Sequence, residues 1–179
     1  MRFCKSDSFA KHLNRFLFYG GNSVKWKNWE QKNKMIEINN LTKFTVDKKS
    51  FSQVAKKVLS GENKETETLS LAFVSKEEIA KLNKKFRKKN KPTDVLSFDL
   101  TGPYGVTDCM NNFLGEIIIC PDVVRENAKK DGVTIKYEMM KVFIHGILHL
   151  LGYDHEKSEK QAEVMESKQN IYLSKVKYK

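Results

Sequence analysis

Apolar and polar positions from Met35 onward follow two spacings, one typical of strands and one typical of helices. Short apolar or alternating runs predict strands at residues 36–38, 69–74, 95–98 and 114–120. A helical stripe follows the candidate N-cap Asp47 and comprises Phe51, Val54, Ala55, Val58 and Leu59. The region from Met35 onward is therefore predicted to contain both strands and helices.

Four more helices are indicated by their start signals and their apolar period. Ser75 followed by Glu78 is a capping-box pattern that opens a helix through about residue 86. Pro121 opens the next helix, which ends near residue 130. Periodic apolar positions then predict a long helix over residues 135–151 and an amphipathic one over residues 158–173.

Residues 1–34 differ from the remainder of the chain, which we expect to form one domain over residues 35–179. They hold eight Lys and Arg residues against Asp7 and Glu30, and so +6 of the formal net charge of +11. Their aromatic residues show no sustained period. We expect a poorly ordered basic extension that is dispensable for catalysis. Three origins stay open: an upstream extension or mis-chosen start codon, an organelle-targeting segment, and an RNA-binding arm.

Composition limits the class of protein. With 40% apolar and 31% charged residues in a chain of 179, the sequence has the make-up of a soluble globular protein. No apolar run approaches the roughly 20 residues that a membrane helix needs, so we expect no membrane partner. The three cysteines form no CxxC pair and cannot all pair within the chain, which favours a reducing compartment, the cytoplasm. The positive charge is compatible with a nucleic-acid partner.

Three of the four histidines lie within eleven residues, in the segment His-Gly-Ile-Leu-His-Leu-Leu-Gly-Tyr-Asp-His. His145 and His149 are four residues apart on a predicted helix, so both project from one face and can reach one metal ion. Gly152 stands where the helix can end with a left-handed residue, after which the chain can bring His155 to the same ion. Three imidazoles leave a fourth position for water, as in catalytic zinc sites. The alternative is that the three are ordinary surface or core histidines that lie close in sequence by chance. The isolated His12 is expected to be an ordinary surface residue.

The histidine spacing also matches the metallopeptidase pattern HExxHxxGxxH, with one departure. Gly146 stands where that pattern has the glutamate that takes a proton from metal-bound water. Glycine cannot act as a base. The segment therefore indicates a metal site without the catalytic base of a peptidase, and we do not expect proteolysis by the usual mechanism.

Further sequence blocks accompany the histidine segment. They are Leu82-Asn83, Phe86-Arg87, the run Lys-Pro-Thr-Asp-Val-Leu-Ser-Phe at 91–98 and the run Leu-Gly-Glu-Ile-Ile-Ile-Cys at 114–120. With the segment at 145–155, these blocks closely resemble the YbeY family of rRNA-maturation endoribonucleases, in the family's order and over most of residues 35–173. Two departures from the family pattern concern local loop shape. Asp99 replaces the usual proline, and the loop at residues 100–113 contains a longer run of small polar residues than the family pattern leads us to expect.

The resemblance implies an α+β, zincin-like single domain in which helices pack on a small mixed β-sheet. It implies one Zn²⁺ ion held by His145, His149 and His155. It also implies single-strand-specific RNA cleavage in 3′-end maturation of small-subunit ribosomal RNA, and ribosome quality control. The implied partners are single-stranded ribosomal RNA and the small ribosomal subunit, with a ribosome-assembly GTPase as a further candidate. Arg87 matches the family's functionally important arginine and is the candidate catalytic residue.

Several polar residues near these blocks have two interpretations each. A guanidinium can meet the charge that builds on phosphate oxygens, whereas composition alone favours Arg87 as one more solvated cation. A phosphate track or a solvated basic face is formed by Lys84, Lys85, Lys88, Lys89 and Lys91. Asp154 either binds a ligand histidine or shapes the turn after Gly152, and Ser97 is either a site residue or a core-facing hydroxyl. For Thr93-Asp94 the simplest interpretation is that these residues lead into a strand.

Two functions of other classes stay open on sequence grounds. One is a metal-dependent hydrolase of another substrate, such as an amide or ester, that uses a different base. The other is a non-enzymatic ribosome-assembly factor with a structural metal, which requires a fourth protein ligand. Cys109 and Cys120 lie outside the histidine segment and give that alternative no support. The ion also stays open, because three-histidine sites accept nickel, copper or iron.

Overall fold

The fold is described by a computed structural model over residues 35–99 and 112–176. The predicted extension 1–34 and most of loop 100–113 lie outside the described residues. The strands are β1 (Ile36–Asn40), β2 (Thr68–Phe73), β3 (Val95–Asp99) and β4 (Phe113–Ile119). The helices are α1 (Lys48–Gly61), α2 (Lys76–Arg87), α3 (Pro121–Lys130), α4 (Ile135–Leu150) and α5 (Glu159–Ser174). Each predicted strand and helix is present, with ends shifted by at most two residues.

The four strands form one mixed sheet in the order β1-β2-β4-β3. β1 pairs with β2, and β2 with β4, in parallel, whereas β3 and β4 are antiparallel. α1 connects β1 to β2, and α2 together with β3 lies between β2 and β4, since parallel neighbours cannot be joined by a short hairpin. The expected α+β fold, with helices packed on a small mixed sheet, is confirmed.

The two faces of the sheet carry different apolar clusters, because successive residues of β4 point to opposite sides. On the first face, Ile117 and Ile119 join a large buried cluster with residues of α1, α4 and α5, including the fully buried Phe143. We name it the α4 face. On the second, Ile118 joins a smaller cluster with Ile79 of α2. We name it the α2 face. The α4 face is the one that positions the histidines.

The caps of the helices follow the sequence signals. The side chains of Asp47, Ser75 and Thr134 accept hydrogen bonds from backbone N–H groups in the first turns of α1, α2 and α4. At the other end of α4, Gly152 has φ +92°, a conformation that residues with a Cβ rarely adopt. Its N–H donates to His149 O at 3.0 Å, so the chain reverses directly after the helix.

Across residues 35–99 and 112–176, no helix combines the length and the apolarity that crossing a bilayer would require.

Candidate metal centre

The structure brings His145, His149 and His155 together. α4 carries the first two, and the third lies on residues 151–155, which we call the histidine loop. The Nε2 atoms of His145 and His149 are 3.0 Å apart, and one nitrogen of each of the three rings lies within 4.8 Å of the others. Two ligands of a tetrahedral zinc with bonds of 2.0–2.1 Å are separated by about 3.3 Å. The spacing therefore fits a single ion with three imidazole ligands.

The other nitrogen of each helix histidine has a partner of its own. His145 Nδ1 lies 3.0 Å from Gln169 Oε1 of α5, and His149 Nδ1 lies 3.0 Å from the Tyr153 carbonyl oxygen. A carbonyl oxygen only accepts, so each Nδ1 carries the proton and each Nε2 presents its lone pair to the site. Two lone pairs facing each other repel, and a cation between them removes the repulsion. The donor set therefore fits a metal ion.

Burial keeps both helix histidines neutral near pH 7. Desolvation lowers the pKa of His145, against an opposing hydrogen bond with Gln169. Desolvation, with the neighbouring imidazoles His145 and His155, lowers the pKa of His149 to about 4. Neutral imidazole is the form that binds a metal, so the fold prepares these two ligands. His155 is exposed by contrast.

Within the described part of the chain, the candidate ligand group contains these three histidines and no cysteine or carboxylate. Cys120 is a buried free thiol in the cluster of the α2 face, on the opposite side of the sheet from α4. Cys109 lies outside the described residues. Three ligands leave a tetrahedral ion one open position, which a catalytic site needs and a closed structural site lacks.

Gly146, in the position of the peptidase glutamate, packs against the sheet. A Cβ at Gly146 would lie 3.0 Å from Ile117 Cγ2 and 3.1 Å from Ser97 Oγ. The absence of a side chain lets α4 approach β3 and β4 closely, and a glutamate would have no room. The hydroxyl of Ser97 lies at this helix–sheet contact. The close packing at Gly146 supports the expectation of no proteolysis by the usual mechanism, which stays a prediction.

Arg87, the last residue of α2, reaches the end of the histidine loop. Its Nη2 donates to Glu156 Oε1 at 2.9 Å, and Glu156 directly follows His155. The five lysines named above are exposed around it. Asn83, buried in α2, donates from Nδ2 to Lys91 O at 2.7 Å and so holds the basic segment after Arg87. The catalytic role of Arg87 stays a prediction, and its guanidinium contacts the residue that follows His155.

The weaker candidates have structural contacts. Asp154 Oδ1 accepts the backbone N–H of Glu156 at 2.9 Å, which shapes the turn after Gly152. Asp94 Oδ1 accepts the N–H of Val95 at 2.8 Å. Asp94 therefore stands directly before β3 and binds the backbone of its first residue, as expected for residues that lead into a strand. Sequence reasoning missed the contacts of Gln169 and Glu156. An i, i+4 rule locates ligands within a helix, but it cannot locate partners from another element.

Comparison with known proteins places the chain in a family. Residues 36–177 match the family model described as Endoribonuclease YbeY. A relative of that name from Francisella tularensis subsp. holarctica is 46% identical over 100 residues, which cover 55% of this chain and 61% of the relative. Another, from Thermotoga neapolitana, is 46% identical over 107 residues, covering 60% and 66%. Both alignments span less than two thirds of the relatives' length.

A solved structure extends the match in three dimensions. The solution structure of a Thermotoga maritima protein superposes with a TM-score of 0.57 at 35% identity, over 79% of this chain and 89% of the other. The family match includes the four strands and five helices of the described residues, the three histidines and Arg87. The chain belongs to the Endoribonuclease YbeY family.

Proposed function

We propose that this chain is a zinc-dependent endoribonuclease that cleaves single-stranded RNA during 3′-end maturation of small-subunit ribosomal RNA. The observation that carries the proposal is the convergence of three imidazoles, two with Nε2 atoms 3.0 Å apart. An arginine that binds Glu156, the residue after the third histidine, accompanies them. The name of the curated relatives, Endoribonuclease YbeY, supports RNA as the substrate.

In this proposal His145, His149 and His155 hold the ion. When bound, a divalent ion supplies a Lewis acid that polarises a phosphoryl oxygen and acidifies water. Gln169 and the Tyr153 carbonyl fix the rings of the two helix histidines, so the ligands need not reorganise. Zinc suits three imidazoles with one open tetrahedral position.

Arg87 would bind the phosphate group that is cleaved. Phosphodiester cleavage builds negative charge on phosphate oxygens, and a planar guanidinium can donate two parallel hydrogen bonds to them. In the structure the guanidinium is engaged with Glu156 and 28% exposed. An RNA phosphate therefore competes with the Glu156 carboxylate for the same donor.

The exposed lysines around Arg87 would bind the RNA backbone on either side of the cleaved bond. Binding through such contacts releases counterions, so affinity falls steeply as salt concentration rises. Salt-independent affinity would show that the lysines form only a solvated basic face. We further propose action in the cytoplasm on the small ribosomal subunit and in ribosome quality control, with an assembly GTPase as a candidate partner.

The test is cleavage of a single-stranded fragment of ribosomal RNA by the purified, zinc-loaded full chain, beside a duplex of the same sequence. We expect cleavage of the single strand, loss in His149→Ala, and strong reduction in both Arg87→Ala and Arg87→Lys, because lysine cannot make the bidentate contact. Variants are first matched for thermal stability. Unchanged cleavage in His149→Ala and Arg87→Ala would reveal a contaminating nuclease and overturn the proposal.

Two further measurements address the rival functions. A peptide and ester panel assayed on the same preparation should give no turnover, because Gly146 supplies no base. X-ray absorption of the zinc-loaded protein should show nitrogen and oxygen neighbours only. A sulfur neighbour would identify a cysteine as the fourth ligand and support a structural metal instead.

A further inference from the structure

A shielded carboxylate outside the metal centre joins three parts of the molecule. Glu62 directly follows α1, and its side chain is only 10% exposed. Oε2 accepts the hydroxyl of Tyr153 at 2.7 Å. Oε1 accepts Lys168 Nζ at 2.8 Å and also the hydroxyl of Tyr172. One carboxylate therefore ties the end of α1 to the histidine loop and to α5.

The ion pair at this point persists at neutral pH. Burial alone would raise the pKa of Glu62, but hydrogen bonds from Lys168, Tyr172 and Tyr153 more than offset burial and lower the pKa. The hydrogen bond with Glu62 raises the pKa of Lys168 to about 12. A carboxylate that accepts from three donors has little freedom to rotate, and the groups that donate to it are held in turn.

The residues tied to Glu62 are also those that support the metal ligands. Tyr153 donates its hydroxyl to Glu62 while its backbone carbonyl contacts His149 Nδ1 at 3.0 Å. On α5, Gln169 contacts His145 Nδ1 at 3.0 Å and lies between Lys168 and Tyr172, both of which bind Glu62. His149 Nδ1 is thus connected to the Glu62 carboxylate through Tyr153. His145 Nδ1 is connected to it through Gln169 and the turn of α5 that carries Lys168 and Tyr172.

The close approach of α5 to the end of α1 depends on a glycine. A Cβ at Gly61 would lie 2.5 Å from the hydroxyl oxygen of Tyr172 and 2.8 Å from its Cε1. Tyr172 is 5% exposed, so its ring has little room to move. The sequence Gly61-Glu62 therefore provides both the space for the ring and the acceptor for its hydroxyl.

We propose that Glu62 is a positioning residue of the metal centre. Its carboxylate fixes the Tyr153 carbonyl and the segment of α5 that carries Gln169, and through them the tautomer and orientation of His149 and His145 for a divalent ion. Glu62 does not touch the ion. The inference rests on the proposed metal site, and it adds a residue 83 positions before the first ligand.

The test measures metal binding rather than RNA cleavage. Zinc affinity of the metal-free full chain is determined by competition with a chromophoric chelator for wild type, Glu62→Gln and Tyr153→Phe. We expect both variants to bind zinc roughly 10–100-fold more weakly, the usual effect of removing an outer partner of a ligand histidine. The absorption bands of the cobalt-loaded variants should shift, because they report the geometry of the ligands. The double variant should lose little more than Glu62→Gln alone, because that change already weakens the hydrogen bond that Tyr153→Phe removes.

A control variant separates positioning from general stability. Asp47 caps the opposite end of α1 through the N–H of Ser50 at 3.2 Å. Asp47→Ala should lower the midpoint of thermal unfolding, because the cap is lost, while leaving zinc affinity and cobalt bands unchanged. Wild-type affinity and bands in Tyr153→Phe would overturn the proposal. So would an equal loss of affinity in Asp47→Ala.

The outcome is independent of the proposed activity. If Glu62→Gln binds zinc like wild type and the wild type still cleaves RNA, the positioning role fails and the nuclease stands. If zinc binding weakens as expected but the wild type cleaves no RNA, the positioning role stands and the proposed substrate fails.

Discussion

The α4 face and the α2 face of the sheet contribute unlike parts to the site. From the α4 face come His145 and His149, partly buried on a helix that packs on a large apolar cluster, each ring with its own partner. From the α2 face comes Arg87, at the end of a helix over a smaller cluster and held by an ion pair with side chains 28% and 42% exposed. The two helix ligands of the proposed metal site lie on a helix packed against the core, whereas the proposed phosphate-binding residue lies at the surface.

This difference separates two physical requirements. Metal ligands must be neutral and fixed before the ion arrives, and burial beside a rigid helix provides both. A phosphate-binding arginine must stay charged and exchange one anion for another, which solvent exposure permits. We therefore expect changes on the α4 face to act through stability and metal affinity, and changes at Arg87 to act through RNA binding.

The largest effect is expected at the contact between α4 and the sheet. Gly146→Glu places a carboxylate where even a Cβ lies 3.0 Å from Ile117 Cγ2. Overpacking and burial of an unpaired charge together should destabilise the metal-free protein by more than about 3 kcal/mol. Urea unfolding of the metal-free protein measures this, and no peptidase activity should appear.

Gly146→Ala is the matched control for that substitution. A single methyl group has to displace only side-chain atoms, and alanine gains about 1 kcal/mol of helix propensity over glycine. The alanine variant should therefore lose much less stability than the glutamate variant. Equal stability of the glutamate variant and the wild type would show that α4 does not need this close contact, and the α4 face would lose its distinguishing feature.

The second effect tests the α2 face through its buried carboxyl. Glu116 of β4 is 2% exposed, and burial raises its pKa from 4.5 to about 7, against an opposing hydrogen bond with Ser70. The folded chain keeps a proton that the unfolded chain releases between these two values. The contribution of Glu116 to stability is therefore full below pH 4.5 and is lost as the pH rises through 7, by about 3 kcal/mol.

Replacing that carboxyl should remove this pH dependence. Glu116→Gln stays neutral at all pH values, so the variant should gain stability relative to wild type at pH 8 and match it near pH 4. Denaturant unfolding at a series of pH values checks the expectation. A difference between variant and wild type that does not change from pH 4 to pH 8 would contradict the assignment of a neutral, buried carboxyl.

A third, smaller effect concerns the partner of His145. Gln169→Leu removes the acceptor at 3.0 Å from His145 Nδ1 with little change in volume, and zinc affinity should fall by roughly 10-fold or more. Asn170→Leu changes the same kind of amide at an exposed position one residue later and should leave zinc affinity unchanged. Equal affinities in the two variants would mean that Gln169 does not fix the ring.

Comparison of these contacts with the sequence shows which features are local. The i, i+4 spacing of His145 and His149 and the turn at Gly152 are properties of consecutive residues, and the sequence predicted them. The strands and helices were likewise predicted to within two residues, because their apolar periods are regular and the caps Asp47 and Ser75 have specific side chains.

The contacts that the sequence did not predict join distant residues. Glu62 and Tyr172 are 110 residues apart, and Arg87 and Glu156 are 69 apart, so no spacing rule connects them. The Tyr153 carbonyl is a backbone group and leaves no signature in the residue type. Such partners follow from how α1, α2 and α5 pack, and that depends on the sum of many apolar contacts.

The smallest effect is expected where the surface half of the site meets the histidine loop. Glu156→Gln removes the charge that engages Arg87 Nη2 at 2.9 Å. An exposed pair of this kind stabilises a protein by only about 0.2–1 kcal/mol, so unfolding should hardly change. RNA phosphate would no longer compete with a carboxylate for Arg87, so KM for single-stranded RNA should fall a few-fold at low salt while kcat stays the same.

Glu159→Gln removes the same charge at an exposed position on the first turn of α5 and controls for net charge. In an Arg87→Lys background the effect of Glu156→Gln should shrink, because the bidentate donor is gone. If KM falls equally in Glu159→Gln, the gain reflects overall charge, and the competition between Glu156 and phosphate is refuted.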